Sequence, residues 1–296
     1  VIGVFDSGSG GLTILQALRE TLPDRDFLYI GDHARAPYGE RDGAEVHEFT
    51  RQAVDYLLQQ NCRLIILACN TAAAVALRPL QQGWLAQTAP HARVLGVHVP
   101  LVESITGLGW NAPINPIADH GAICTTEIRP RTLGIFATPR TVTSGAFKTE
   151  IKSRAPAIHV LQQPCPGLAD AIEAHAPDDR IEALVRGYVD QLMAQPGADA
   201  IDSVALACTH YPFALKQFRA ALSPAIAIHT QPRMVALALA DYLKRHPDID
   251  DRGAGRLRLL TSTDPLHLNG LASRLPAELR RFEALPTALG SGVLSA

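Results

Sequence analysis

The chain has 296 residues, 47% hydrophobic and 19% charged, with a formal net charge of -2 at pH 7. A mean hydropathy of +0.06 and an isoelectric point near 6.6 suit a globular chain long enough for two domains. The balanced charge excludes the basic footprint of a duplex nucleic-acid binder, and the most apolar stretch is interrupted by Asn70 and Thr71, short of a bilayer span. No membrane and no nucleic-acid partner is therefore expected.

Residues 1–5 form an apolar, strand-like run without a basic leader pattern. Asp6-Ser7-Gly8-Ser9-Gly10-Gly11 follows, with a helical pattern over 12–21. Its glycine spacing fits neither a P-loop nor a dinucleotide turn. It can act as a helix cap, or its backbone N–H groups can hold a small anion such as a carboxylate. Further strand-like runs are 27–30, 64–68, 94–97, 133–136, 158–161, 204–207, 226–229 and 257–260. Helical patterns cover 46–59, 72–82, 142–153, 180–194 and 234–243. The stretch 108–132 is rich in Gly and Pro and reads as a long surface loop, and 285–296 as a mobile tail. The clusters Arg129-Pro130-Arg131 and Arg280-Arg281 read as solvated surface.

Alternation of this kind predicts an α/β protein with mostly parallel sheets. An internal echo refines it. Leu64-Ile65-Ile66-Leu67-Ala68-Cys69-Asn70-Thr71 resembles Val204-Ala205-Leu206-Ala207-Cys208-Thr209-His210, each a strand ending in Ala-Cys. Two similar open α/β domains facing across a central cleft follow, each offering a cysteine at the strand edge where ligands bind. The first domain is expected over 1–97 with 212–296, carrying Asp6 and Cys69. The second is expected over 98–211, carrying Cys208 and His210.

Five cysteines without framework spacing predict reduced thiols in a cytoplasm. Cys62, Cys124 and Cys165 suit the role of small hydrophobes. Cys69 and Cys208 each stand at the start of an expected helix, where a thiolate is favoured. A disulfide joining them is the competing structural reading. Asp6 can serve a nearby thiol as an acid/base partner, and His210, two residues after Cys208, can support a thiolate or remain structural. The eleven histidines and five cysteines show no zinc-type spacing, so no metal is expected. None of the four lysines, Lys148, Lys152, Lys216 and Lys244, falls in a strand-end loop, as a pyridoxal phosphate Schiff base would require.

Four blocks, taken in order, resemble the glutamate racemase family of the aspartate/glutamate racemase superfamily. They are Asp6 to Thr13, Asp32-x-Ala34-Arg35-x-Pro37-Tyr38-Gly39, Ala68-Cys69-Asn70-Thr71-Ala72 and Cys208-Thr209-His210-Tyr211-Pro212. Weaker echoes are Ala137-Thr138-x-x-Thr141-x-x-Ser144, Glu173 after Cys165-Pro166, and Thr261-x-Thr263-Asp264-Pro265. The resemblance implies an enzyme that interconverts L- and D-glutamate without a cofactor, supplying D-glutamate for bacterial peptidoglycan and hence for cell wall and cell shape. It implies Cys69 as the base toward the D-substrate and Cys208 toward the L-substrate. Asp6 would assist Cys69, His210 would assist Cys208, and Glu173 would be an auxiliary acid, its alternative being an exposed helix carboxylate. Substrate contacts would come from Asp6, Ser7, Tyr38, Gly39, Asn70, Thr71, Thr209 and His210. A homodimer is compatible with the resemblance.

Some positions depart from the family. Phe147 stands where tyrosine is usual, residues 99–103 follow the fourth strand in an unusual form, and Thr230-Gln231-Pro232 replaces an Asp-Ser-Gly turn. The loop 108–132 is also longer than the family suggests. Two alternatives remain: a racemase of aspartate or a related amino acid, and a non-catalytic binding or regulatory protein that keeps the pocket. One methylene of substrate is worth only about 1–3 kcal/mol in discrimination.

Overall fold

The computed structural model describes residues 1–108, 132–268 and 275–286. The expectations for most of the 108–132 loop, for Cys124, for Arg129 to Arg131 and for the chain beyond 286 lie outside them. Every run expected as a strand forms one: β1 (Ile2–Asp6), β2 (Phe27–Gly31), β3 (Leu64–Leu67), β4 (Arg93–Gly96), β5 (Thr132–Ala137), β6 (His159–Pro164), β7 (Ser203–Ala207), β8 (Ala227–His229) and β9 (Leu257–Thr261). A short tenth, β10 (Phe282–Ala284), adds to them. The helices are α1 (Leu12–Thr21), α2 (Gly43–Gln59), α3 (Asn70–Gln82), α4 (Trp84–Thr88), α5 (His98–Thr106), α6 (Pro139–Ser144), α7 (Ala146–Arg154), α8 (Leu168–Glu173), α9 (Asp178–Met193), α10 (Leu215–Ala221) and α11 (Pro232–Arg245).

The strands form two parallel sheets, one of six strands in the order β10-β9-β2-β1-β3-β4 and one of four in the order β6-β5-β7-β8. β1 lies at the centre of the first sheet and is buried at every position. A strand covered on both faces needs a continuous apolar run rather than an alternating one, which is how Ile2-Gly3-Val4-Phe5 reads. On one face α1 packs against α11, with Leu15, Leu18, Val235 and Leu239 in a single cluster. On the other face, α2 and α3 bury Val54, Leu57, Ala73 and Leu77. α2 starts at a capping box: Ala44 N–H donates to Asp42 Oδ1 at 2.8 Å, and Asp42 N–H to Glu45 Oε2 at 3.4 Å. The second sheet is covered by α9 and α10 on one face and by α5 and α7 on the other.

One expectation is corrected. The helix expected over 142–153 is two helices, because Gly145 takes φ +66, a left-handed conformation that ends α6 before α7 begins. α10 packs on α9 and β8 pairs with β7, so the chain rejoins the first sheet's helices only with α11. Two passages therefore join the halves, one through α5 and one at Thr230–Pro232. Because all paired strands are parallel, the carboxyl ends of each sheet lie on one edge, and β1, β3, β5 and β7 deliver their following residues there.

Candidate active site

One cleft gathers residues from those strand ends. Ser7, Tyr38, Gly39, Cys69, Asn70, Thr71, Glu173, Cys208, Thr209 and His210 all line it. Asp6 sits behind them, fully buried. Cys69 and Cys208 are both free thiols, so the disulfide alternative falls.

The Cys69 side is built from β1, β3 and the start of α3. Cys69 caps α3: its Sγ accepts from Ala72 N–H at 3.4 Å and lies 3.5 Å from Ser7 Oγ. Asp6 Oδ1 accepts from Gly8 N–H at 2.8 Å and Oδ2 from the Thr209 hydroxyl at 3.1 Å, so one carboxylate braces both halves. Burial raises the Asp6 carboxyl to about 6, against the opposing pull of His210 and of its two hydrogen bonds. Burial likewise pushes the Cys69 thiol up to about 12, with the charge of Asp6 adding to it, while Ser7 and the helix N–H pull the other way. Burial therefore favours the neutral form of the Cys69 thiol.

The Cys208 side has the opposite character. Cys208 Sγ lies 3.9 Å from His210 Nδ1, and His210 Nε2 lies 2.5 Å from Glu173 Oε2. Glu173 Oε2 also accepts from Ser9 N–H at 3.3 Å. Burial disfavours the imidazolium, yet the hydrogen bonds to Cys208 and Glu173 and the charge of Glu173 outweigh it, holding the His210 pKa well above the ordinary value. Burial would raise Glu173, but the same pairing holds its carboxyl at about 2. The alternative of an exposed helix carboxylate therefore does not describe Glu173, which belongs to a Cys208–His210–Glu173 chain.

The remaining expected residues are brought to the cleft with their polar atoms partly committed. The Tyr38 hydroxyl donates to Asp32 Oδ2 at 2.5 Å, in a network that Arg35 joins at 2.7 Å. Thr71 Oγ1 lies 3.0 Å from Thr138 Oγ1 and 3.3 Å from Thr141 Oγ1, a hydroxyl cluster across the two halves. Gly39 packs so closely on Thr138 that an added Cβ would lie 2.8 Å from the threonine Cβ, which accounts for glycine there.

Thr138 and Cys165 also line the cleft. Thr138 had a signal, a Thr-x-x-Thr cap after a strand, and its hydroxyl accepts from Thr141 N–H at 3.3 Å. Cys165 had none beyond its position after β6. Its Sγ–H donates to Gln163 O at 3.5 Å, and burial raises its thiol. Among the described residues no group of three or more His, Cys, Asp and Glu side chains is placed to hold a metal ion. No described helix is long and apolar enough to cross a membrane.

Two parallel-sheet α/β halves thus bring their strand ends to one cleft. A glutamate racemase isoform of Bacillus anthracis superposes with a TM-score of 0.80 at 26% identity, covering 97% of each chain. The Francisella tularensis glutamate racemase, solved in complex with D-glutamate, gives 0.78 at 26% identity with the same coverage. A curated glutamate racemase of Jannaschia sp. is 42% identical over 287 residues, 96% of this chain and 99% of that one. The chain belongs to the glutamate racemase family. No general family model matches it.

Proposed function

We propose that the protein interconverts L- and D-glutamate by direct proton transfer at the α-carbon, with Cys69 and Cys208 as the two acid/base groups and no cofactor. The observation that carries this reading is the pair of thiols on one cleft, each with different polar support. Inversion requires a proton to leave one face of the α-carbon and another to arrive at the opposite face. One fixed side chain reaches one face only; two opposed thiols reach both.

The resting electrostatics suit the L-substrate. A protonated His210 would be the counter-charge when Cys208 acts as base, and burial favours the neutral form of the Cys69 thiol. Cys208 takes the α-proton of L-glutamate, forming its S–H bond as the Cα–H bond breaks. The electron pair passes into the α-carboxylate, and Cys69 returns its own proton to the other face to give D-glutamate. Cys69 is then the thiolate, ready for the D-substrate, and Asp6 is placed to take up or return a proton on that side.

Charge developing on the α-carboxylate meets donors already in place. The start of α3 and the Ser7 hydroxyl line the cleft, while the Thr209 hydroxyl, also on it, donates to Asp6. With its hydroxyl bound to Asp32, Tyr38 offers shape and main chain rather than a phenol, and Gly39 supplies backbone beside it. Support for glutamate as substrate comes from the family and from the D-glutamate held by the F. tularensis enzyme. Supply of D-glutamate to peptidoglycan is the corresponding cellular role.

The test is circular dichroism of L-glutamate incubated with purified protein and no added cofactor, beside Cys69→Ala and Cys208→Ala. Decay of the signal to zero with the wild type alone supports the reading. A flat trace from folded wild type overturns it, and L-aspartate in the same assay then separates a related racemase from a binding protein.

A further inference from the structure

Beside the cleft is a buried amide that the mechanism above does not use. Gln231 is 1% exposed and lies in the Thr230–Pro232 passage, immediately before α11. Its Oε1 accepts from Asn70 Nδ2 at 2.6 Å, and its Nε2 donates to Asn70 Oδ1 at 2.8 Å. The same Nε2 donates to Val97 O at 3.2 Å. Both N–H groups and the carbonyl of Gln231 are thus committed.

Those partners are placed with consequence. Asn70 opens α3, directly after Cys69, and Val97 precedes α5 where the chain leaves the first half. One side chain therefore joins the outgoing passage, the returning passage and the turn that carries a thiol. The clasp also fixes the orientation of the Asn70 amide. Asn70 Oδ1 is engaged by Gln231, so the polar group left for the cleft is an Nδ2 hydrogen, the correct sign for a carboxylate. A buried amide that could rotate would present oxygen to the substrate half the time.

We propose that Gln231 is a positioning residue, whose clasp on Asn70 and Val97 O holds the Cys69 turn in register with both passages and keeps the Asn70 donor facing the carboxylate. The consequence for turnover rests on the racemase reading above; the consequence for the Cys69 turn does not. A role for this position was invisible in the sequence, because its partner is 161 positions away.

The test uses the full-length protein with Gln231→Met, which keeps length and removes all three bonds, and Gln231→Glu, which keeps the acceptor and removes the donors. The first readout is the rate at which iodoacetamide labels Cys69 and Cys208, resolved by peptide mass spectrometry without substrate. Loosening the turn should raise Cys69 labelling about fivefold or more, with Cys208 within about twofold, since local opening exposes only the segment it frees. The second readout is glutamate kinetics: KM should rise and kcat fall, together lowering kcat/KM by about 10- to 100-fold, as for loss of an oriented donor. The α-deuterium isotope effect should rise in the direction where Cys69 removes the proton and not in the other.

Unchanged labelling of Cys69 in a folded variant overturns the proposal. So does a rise common to both thiols that follows the fall in thermal stability, which marks a structural role only. A wild type inert toward glutamate overturns the racemase reading by itself, while the labelling ratio still decides the place of Gln231.

Discussion

The two thiols stand on the same scaffold and in opposite electrostatic settings. Each follows a buried parallel strand whose sequence echoes the other, Leu64 to Cys69 and Val204 to Cys208. Cys69 faces a buried carboxylate, a serine hydroxyl and a helix N–H, and its thiol is pushed up to about 12. Cys208 faces an imidazole that Glu173 holds in its charged form. Repetition of a motif thus supplies position, while the flanking residues supply protonation. The proposed two-thiol exchange needs that asymmetry, because in it one thiol gives a proton as the other takes one.

Removing either thiol should break the comparison outright. Cys69→Ala and Cys208→Ala should each lower racemisation by about 10³-fold or more, within the range for loss of a general acid or base. Cys69→Ala should still exchange the α-proton of L-glutamate slowly with D2O and invert none of it, as proton NMR would show.

Weakening the support of Cys208 should have the next largest effect. Glu173→Gln removes the charge that keeps His210 protonated, so the His210 pKa falls. Activity should then fail at a lower alkaline pH than in the wild type. A loss of about 10- to 100-fold at pH 8, shrinking toward pH 6, is expected in kcat/KM profiles.

On the other side, Asp6 gives a prediction of opposite sign for stability and activity. Its carboxyl is raised from 3.8 to about 6 in the fold. The folded state therefore binds that proton more tightly than the unfolded chain. The resulting penalty is absent below about pH 4, grows between about 4 and 6, and is complete above. Asp6→Asn should stabilise the protein at pH 7.5 by up to about 3 kcal/mol in denaturant unfolding, from the 1.36 kcal/mol carried by each pKa unit. The same variant should lose about 10-fold or more in turnover and the acidic limb near pH 6.

The smallest effect should come from the hydroxyl cluster between the halves. Thr141→Val removes partners of Thr71 and Thr138 and should cost about 1 kcal/mol of stability with a few-fold rise in KM.

The strands, both thiols and the facing of two sheets were legible because each rests on local pattern. Continuous apolar runs mark strands buried on both faces, and Ala-Cys at two of their ends marks the cleft. What was not legible depends on distant partners. Gly145 divides a helical pattern through backbone conformation alone. Three-residue β10 is too short to stand out. The bond from the Tyr38 hydroxyl to Asp32 has no local signal. Glu173 becomes more than a helix carboxylate only when α8 brings it to His210 across 37 positions of chain. The pairing of β8 with β7 likewise rests on sheet partners that no local pattern names.

Proton traffic in D2O tests the two-thiol account most directly. Wild-type protein is incubated with protiated L-glutamate, and both enantiomers are separated before a tenth of the reaction has passed. The account predicts D-glutamate bearing deuterium at the α-carbon, delivered by the second thiol, beside recovered L-glutamate that is still protiated. D-glutamate retaining the substrate's hydrogen would contradict it, since one group would then have carried the same proton from face to face.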